Sequence, residues 1–430
     1  MILGIQNGYQ IPFAAVALKH HAQIPEQNLF RCLFGRDSLL IANLLGARVP
    51  DLEFSVVKAL ALVQGREFDD LSEEEPGRIA HEVRNPDDVR ARELAANGNW
   101  KFPYYGAVDA TLIWLRAVAR IAKAAPDSVD FVIDGVPLWR RAISATEWTL
   151  RRLETPSGLV ESKQSNPHGI QNQVWKDSED SYMHADGTLA RGGSTASVET
   201  IGEAYDALRS AIEIQKLRPH ADWPMSTSGL MSEAISLRGR LVDLLWLGDH
   251  FALGTERTPL GRQMPFDSHA SNQGRLLDSM ILEGDEMLEY RRAIAEALCD
   301  PQLLGDSGLR TLSASHPSYR PGGYHTGSAW PMDGVFSARG LSKYGFHRES
   351  LMLLSRTKKA IESIGGYPEF FRGDPIENGL ITTQVTDVVL DNLMNTSQSN
   401  RVCQPPQMIQ GWTVAAYAWI TDNMEKIASS

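Results

Sequence analysis

The segment Gln173–Asp180 places three carboxylates and a tryptophan within eight residues. It follows Asn166–Gly169, whose Asn, Pro, His and Gly predict a loop that leads into the start of a helix. An indole beside a carboxylic acid suits sugar chemistry, because a sugar ring packs on the indole and partial burial raises the carboxyl pKa so that it can donate a proton. An acidic loop held by a Trp anchor is the alternative. We interpret Asp177 as a proton donor, with Trp175 and Lys176 as sugar contacts.

A second candidate carboxylate lies near the end of the chain, in the Gly- and Pro-containing turn 365–372. Glu369 is surrounded there by aromatic residues, so the solvation of a helix surface does not explain it. A structural ion pair with Arg372 is the alternative. If Asp177 protonates a glycosidic oxygen, Glu369 can deprotonate a water on the opposite face of the sugar. Such an inverting pair needs roughly 6.5–9.5 Å between its carboxyls.

Two further loops in the first quarter of the chain combine charged and aromatic residues. Arg36 and Asp37 directly precede an apolar helix, where Asp37 can cap the helix or, with Arg36, grip vicinal sugar hydroxyls by charge-assisted hydrogen bonds. The run 100–109 holds Trp, Phe and two Tyr residues and ends in Asp. It is either a core aromatic cluster or a sugar platform that uses Tyr105 and Asp109.

The segment 324–333 adds His325 and Trp330, which we expect to contact sugar hydroxyls. His325 has no His or carboxylate partner at a spacing typical of zinc ligands, so no metal site is predicted. No sequence feature calls for a cofactor.

Composition narrows the classes of partner. The chain has 430 residues, 43% of them hydrophobic, and a net charge of −11. No Lys/Arg run is present, which argues against nucleic acid and anionic membranes as partners. An acidic protein suits an uncharged oligosaccharide or small glycoside. The sequence does not indicate an oligomeric state.

The compartment is predicted from cysteine usage and from the start of the chain. The three cysteines, Cys32, Cys299 and Cys403, are widely spaced and form no CxxC motif, so we expect reduced thiols. No basic segment precedes the apolar run 11–18, and no apolar stretch reaches 18 residues, so neither a signal peptide nor a membrane span is predicted. These features predict a cytoplasmic protein.

Helical periodicity dominates the chain and alternating strand patterns are scarce. The acidic segment 67–92 is expected to be a solvated loop, and Leu380–Val385 is the one fair strand candidate. Helices joined by long Gly/Pro/aromatic loops, with no linker, predict a single all-α toroid over residues 1–430. The clearest helical patterns are Phe54–Val63, Ile113–Ile121, Ile201–Ile212, Leu237–Leu245, Leu351–Ile364 and Trp412–Ile427.

Taken together, these motifs resemble the amylo-α-1,6-glucosidase domain of glycogen-debranching enzymes. Each motif is weak alone, but eight occur in the family's order across most of the chain. The matching segments are Phe34–Ser38, Tyr104–Thr111, Gln173–Ser178, Ala270–Asn272, Ser307–Leu312, Tyr324–Pro331, Pro368–Phe371 and Cys403–Pro405.

The resemblance implies an inverting glycosidase on an (α/α)6 barrel related to glucoamylases. It implies Asp177 as general acid and Glu369 as general base, with Arg36 and Asp37 holding the non-reducing sugar. Departures from the family pattern surround the expected pocket: Val174, Arg275, Pro406–Met408 and an apparent insertion over 379–400. The matched segments correspond to the barrel and not to the β-rich domain that precedes it in many debranching enzymes.

The expected activity is therefore exo-acting hydrolysis of a short α-glucoside or an α-1,6 branch stub. The alternative is a hydrolase of a small glycoside such as glucosylglycerate or mannosylglycerate, which uses a related barrel. A catalytically inactive carbohydrate-binding protein is a lesser alternative, because both candidate carboxylates are present.

Overall fold

The computed structural model describes residues 2–16, 30–96, 98–190, 193–376, 379–383 and 406–430. Helices make up 47% of the structure and the sheets are few and small, so the all-α class is confirmed. The α-helices are α1 Gly35–Leu45, α2 Leu52–Leu62, α3 Val89–Ala95, α4 Asp109–Ala124, α5 Leu138–Leu153, α6 Val198–Leu217, α7 Thr227–Leu245, α8 Gly274–Asp278, α9 Leu288–Cys299, α10 Pro331–Lys343, α11 His347–Ile364 and α12 Gly411–Ala428.

The strands are short and every pairing between them is antiparallel within the described residues. The pairs are β1 Leu3–Gln6 with β2 Tyr9–Pro12, β3 Leu33–Phe34 with β4 Glu82–Val83, β5 Val132–Ile133 with β6 Val136–Pro137, and β10 Leu304–Gly305 with β11 Gly308–Leu309. A three-stranded sheet joins β7 Ser194–Ser197, β8 Gly254–Arg257 and β9 Gln263–Phe266. Strands this short join the ends of loops by hydrogen bonds and do not form a hydrophobic core.

All six helical patterns found in the sequence correspond to helices, namely α2, α4, α6, α7, α11 and α12. α10 was not predicted as a helix. Ten of its residues are buried, so it has no polar face from which periodicity could be detected. α5 and α9 carry a polar face and an apolar face, so their sequence signal was present.

The chain divides into two compact units. The first comprises 1–175 with 203–240, and the second comprises 176–202 with 241–430. The division falls inside α6 and α7, which each contribute residues to both units. The expectation of one domain over 1–430 remains a prediction.

In the first unit, α1, α2, α4 and α5 pack around an apolar core. Trp114 of α4 is fully buried, and its indole N–H donates to the Val57 carbonyl of α2 at 3.1 Å. Trp148 of α5 is also fully buried. The burial of these large rings stabilises the packing of the helices whose first turns carry candidate site residues.

In the second unit, α8 and α10 approach each other closely, and α10 also packs on α11 and α12. A Cβ atom at Gly274 would lie 2.2 Å from the Ser337 Oγ of α10, and one at Gly340 would lie 2.5 Å from the Leu277 Cβ of α8. Glycine is therefore required at both positions for this separation of the two helices.

The acidic segment 67–92 is exposed at its start and over 85–87, as its composition predicts, but its middle part, 72–84, is largely buried. Glu73, Arg78, Glu82 and Arg84 are all buried. Arg78 donates to the Glu73 carbonyl at 2.8 Å, and Arg84 pairs with Glu82. The prediction was wrong for this middle part because its charged side chains find hydrogen-bond and ion-pair partners inside the fold.

Some sequence predictions fall on residues outside the described ranges. Cys403 lies outside them, as does most of the apparent insertion 379–400. Of the strand candidate Leu380–Val385, only 380–383 is described, and there Leu380 forms an isolated bridge with Ile376. Among the described residues, no helix is long and apolar enough to cross a membrane.

Candidate active site

Glu369 lies on an extended segment that is held on both sides. Its backbone N–H donates to the Gln407 carbonyl at 2.8 Å, and Phe371 exchanges two 2.9 Å hydrogen bonds with Ala329. Two donors bind the carboxylate itself. The Tyr324 hydroxyl donates to Oε1 at 2.7 Å, and the Gln407 N–H donates to Oε2 at 3.0 Å. The carboxylate is therefore fixed in orientation.

The environment of Glu369 changes its acidity. The residue is 6% exposed, and burial raises the pKa of its carboxyl from 4.5 to about 7. The hydrogen bonds from Gln407 and Tyr324 oppose this rise, and the negative charge of Asp177 adds to it. Asp177 and Glu369 are therefore close enough to interact electrostatically within the second unit. A carboxyl with a pKa near neutral pH is suited to proton transfer.

The loop that carries Asp177 is fastened directly after it. The Ser178 hydroxyl lies 2.9 Å from the Nδ1 of His325, and the Ser178 backbone N–H donates to the same nitrogen at 3.4 Å. Ser178 also donates to Asp180 at 2.8 Å. His325 thus positions this loop.

Aromatic rings surround His325. Trp330 stacks on His325 with 5.2 Å between the ring centroids, and on Phe370 with 5.3 Å. Its indole N–H donates to the Tyr324 carbonyl at 2.8 Å. Trp330 is 2% exposed, so the visible role of this indole is to support the two segments that carry His325 and Glu369.

Lys176, also predicted as a sugar contact, is 1% exposed. Its ammonium donates to the Thr311 carbonyl at 2.6 Å and interacts with the charges of Asp333 and Glu199. The hydrogen bond that holds the Lys176 ammonium is thus made to a backbone carbonyl.

The first unit holds the other predicted site residues. Arg36 and Asp37 lie in the first turn of α1 and Asp109 begins α4, so negative charges lie at two helix N-termini. Arg36 bridges them, with Nη1 2.9 Å from the Asp109 Oδ2 and Nε 3.8 Å from the Asp37 Oδ2. Oδ1 of Asp109 is buried without a hydrogen-bond partner.

Tyr105 and Trp175 of the first unit are both nearly inaccessible, at 3% and 4% exposure. The Tyr105 hydroxyl donates to the Val63 carbonyl at 2.8 Å. For the 100–109 segment, the burial of Tyr105 and its hydrogen bond to Val63 fit the alternative of a core aromatic cluster.

The structure adds Tyr324 and Gln407 to the residues predicted from sequence. Tyr324 precedes His325 in a motif that the sequence singled out, so a signal for it existed. Gln407 lies in the departure Pro406–Met408 noted in the sequence, but its role could not be predicted there, because every residue except proline supplies a backbone N–H. The described residues contain no group of three or more His, Cys, Asp or Glu side chains arranged to hold a metal ion.

Comparisons with known proteins show which fold this chain shares. No family model and no curated protein matches the chain. Solved structures do match. A GH63 mannosylglycerate hydrolase from Thermus thermophilus, in complex with Tris and D-glycerate, has a TM-score of 0.60 at 13% identity and covers 97% of both chains.

Two structures described as glycosidases are also similar. The wild type of one has a TM-score of 0.56 at 15% identity, over 96% of this chain and 91% of its own. A glycosidase variant in complex with glucose has a TM-score of 0.53 at 15% identity, over 91% and 87%. At these identities the likeness shows the fold. The fold is of the (α/α)6 barrel type, as the sequence predicts.

Proposed function

We propose that this protein is a glycoside hydrolase that uses Asp177 as general acid and Glu369 as general base. The observation that carries the proposal is the environment of Glu369: a buried carboxylate with a donor on each oxygen, a pKa of about 7 and an electrostatic interaction with Asp177. Hydrolysis by an acid and a base requires the two carboxyls to lie on opposite sides of the scissile bond, roughly 6.5–9.5 Å apart.

The hydrogen bonds of Glu369 favour the base over the acid role. Both oxygens accept a hydrogen bond, which suits the ionised carboxylate. An ionised carboxylate can take a proton from water. Asp177 then protonates the leaving oxygen, and attack by water from the opposite face inverts the anomeric centre.

The names of the structural neighbours support the enzyme class, since they include glycosidases and a mannosylglycerate hydrolase. Their high coverage of both chains supports a further proposal, that residues 1–430 form one catalytic domain. For the first unit we propose that Arg36, Asp37, Tyr105, Asp109 and Trp175 contribute to sugar binding, the unpartnered Oδ1 of Asp109 being the best-supported contact.

Two substrate classes are about equally supported. The resemblance to debranching enzymes favours a short α-glucoside or an α-1,6 branch stub. The mannosylglycerate hydrolase, whose structure holds D-glycerate, favours a small glycoside of glycerate. Hydrolysis rates across maltose, isomaltose, panose, glucosylglycerate and mannosylglycerate would distinguish the two.

The roles of the carboxylates are tested on whichever glycoside of that panel is cleaved. We expect Asp177→Asn and Glu369→Gln each to lower kcat by at least roughly 100-fold, the usual contribution of a general acid or base. NMR of the first product formed should show the inverted anomer. Glu362→Gln, on the exposed surface of α11, is the matched control. Near-normal kcat in either site variant, or a retained anomer, would rule out the assignment.

A further inference from the structure

Gln173 of the first unit is 1% exposed, and both its backbone and its side chain are hydrogen-bonded. Its backbone N–H donates to the Ser162 hydroxyl at 3.0 Å, and its carbonyl accepts the Val108 N–H at 2.8 Å. In its side chain, Oε1 accepts from Nη2 of Arg78 at 2.7 Å, and Nε2 donates to Oε2 of Glu73. These partners lie 11 to 100 residues away along the chain, so long-range contacts fix the position of Gln173.

The two charged partners of Gln173 come from the buried part of the acidic segment. Glu73 is 2% exposed and has a φ of 57°, a left-handed conformation that is uncommon for residues other than glycine. Arg78 donates to the Glu73 carbonyl at 2.8 Å as well as to Gln173. The amide oxygen of Gln173 thus faces the cation, and its N–H faces the carboxylate. Each end of the amide meets the charge that it can bind, so the orientation of the side chain is determined.

Tyr104 connects this cluster to the chain just before Gln173. The ring is fully buried, and its hydroxyl donates to Oε1 of Glu73 at 3.2 Å and accepts the Ile170 N–H at 2.8 Å. A Cβ atom at Gly169 would lie 2.4 Å from the same Oε1 and 2.8 Å from the Tyr104 hydroxyl. Glycine is therefore required where the loop passes closest to the cluster.

Asn166 holds the beginning of the same loop. It is 1% exposed, and its Nδ2 donates to the Leu71 carbonyl at 3.0 Å and to the Asn99 carbonyl at 2.8 Å. Its Oδ1 accepts the His168 N–H at 2.9 Å. The segment 166–173 is therefore fastened at both ends inside the first unit, although it has no regular secondary structure. Buried polar side chains with long-range partners fix a loop that its own backbone hydrogen bonds would not.

We propose that Gln173 is a positioning residue, which with Glu73 and Arg78 fixes the point from which the chain runs to Asp177. This inference rests on the proposed role of Asp177 as general acid. Asp177 follows Gln173 by four residues, and consecutive Cα atoms are only about 3.8 Å apart, so the position of Gln173 limits the positions open to the acid. On the other side of Asp177, the hydrogen bonds of Ser178 hold the chain.

The test removes the contact between the amide and the carboxylate and then rebuilds it. Gln173→Met keeps roughly the size of the side chain and removes both of its polar groups. We expect kcat to fall by roughly 10- to 100-fold, as a small misplacement of a catalytic group can cause, while KM changes by less than about threefold. The double variant Glu73→Gln/Gln173→Glu exchanges the two side chains, so that an amide N–H still meets a carboxylate and Arg78 still meets an oxygen. It should keep kcat within about threefold of the wild type.

Hydrogen–deuterium exchange without substrate reports on the loop directly. Exchange of the amides over 174–180 should be faster in Gln173→Met than in the wild type, and unchanged in the double variant. All variants are compared at a temperature at which circular dichroism shows them to be folded. Gln10→Met, at an exposed position of β2, is the matched control and should change neither kcat nor exchange.

The exchange measurement separates this inference from the proposed function. Asp177→Asn should abolish turnover and leave loop exchange as in the wild type. If Asp177→Asn retains turnover, the general-acid assignment fails, and with it the catalytic role of Gln173. If Gln173→Met leaves kcat and exchange unchanged, or raises KM at constant kcat, Gln173 does not position the acid, even if Asp177 is the acid. Loss of kcat in the double variant as large as in Gln173→Met would contradict the inference in the same way.

A milder variant keeps the inference testable if Gln173→Met does not fold. Tyr104→Phe removes only the hydroxyl that lies between Glu73 and the Ile170 N–H. It should lower kcat severalfold and speed the exchange of the same amides. Wild-type kcat and exchange in Tyr104→Phe would then overturn the inference.

Discussion

The chemistry of the candidate site depends on how the fold treats single ionisable side chains. Glu369, Lys176 and Asp333 are all buried, and burial disfavours the charged form of each. Their charged forms are stabilised in two ways. Hydrogen bonds from Tyr324 and Gln407 stabilise Glu369, whereas opposite charges stabilise Lys176 and Asp333. The first arrangement leaves a carboxyl whose pKa is about 7.

Tyr324→Phe should shift the pH dependence of the enzyme. In the proposed reaction Glu369 is the base and must be ionised, so kcat/KM rises with pH through its pKa. Loss of the hydroxyl removes a hydrogen bond to the carboxylate, which raises that pKa further and moves the acidic limb to higher pH by about one unit. The measurement is kcat/KM from pH 4 to 9. Tyr319→Phe, which loses a hydrogen bond to Asp374, is the control. An unmoved acidic limb would remove Tyr324 from the control of the base.

Glu369→Gln should stabilise the fold at high pH. The folded-state pKa of Glu369 lies above its ordinary value, so the folded state holds the proton more tightly and wild-type stability falls as pH rises from 4.5 to about 7. Glutamine does not ionise. The gain above pH 7 is on the order of 2–3 kcal/mol and disappears below pH 4.5.

Urea unfolding of the wild type and Glu369→Gln at pH 4.5 and 8 measures this difference. Exposed Glu362→Gln should show no such pH dependence. A variant that is less stable than the wild type at pH 8 would contradict a raised pKa for Glu369.

At the level of elements, the first turns of several helices supply the charged residues. Asp37 in α1, Asp109 in α4, Glu199 in α6 and Asp333 in α10 all occupy such turns and are all buried. A helix N-terminus stabilises a carboxylate, and a nearby cation offsets its burial: Arg36 in the first unit and Lys176 in the second. A buried carboxylate in the first turn of a helix is thus found in both units.

Close packing of α8 on α10 fixes the position of α10. The variant Gly340→Ala tests this packing. The new Cβ would lie 2.6 Å from the Leu277 carbonyl carbon and 2.7 Å from the Asp278 nitrogen, so backbone must move. We expect a loss of about 1–3 kcal/mol in the free energy of unfolding, typical of overpacking. Gly239→Ala in α7 is the matched control, because its Cβ meets nothing within 4 Å. It should gain up to about 1 kcal/mol from helix propensity. Equal effects in the two variants would contradict close α8–α10 packing.

For the whole molecule, the similarity to solved glycosidases covers nearly the full length of the chain. What is shared is the fold. Identities of 13–15% mean that few side chains are shared, while TM-scores of 0.53–0.60 mean that the helices follow a similar course. Substrate choice is decided by side chains, so the panel of glycosides, and not the fold, must decide between a neutral and an acidic aglycone.

The sequence by itself determined the all-α class, seven of the helices with α1 among them, and the loops in which the candidate acid and base lie. Periodicity and Gly/Pro punctuation are local signals, and they need no knowledge of the fold. The sequence did not reveal α10, because this helix is buried on nearly all sides and shows no periodic pattern. It also misjudged 72–84, the middle part of 67–92, because composition does not show which charges find partners.

Only the tertiary structure decided what surrounds each candidate side chain. Tyr324 and Gln407 bind Glu369 from 45 and 38 residues away along the chain, and Lys176 meets Thr311 across 135 residues. The pKa of a carboxyl and the partner of a buried lysine depend on such distant neighbours. Local sequence specifies which residue types are present, but burial and long-range contacts determine their charge state and their role.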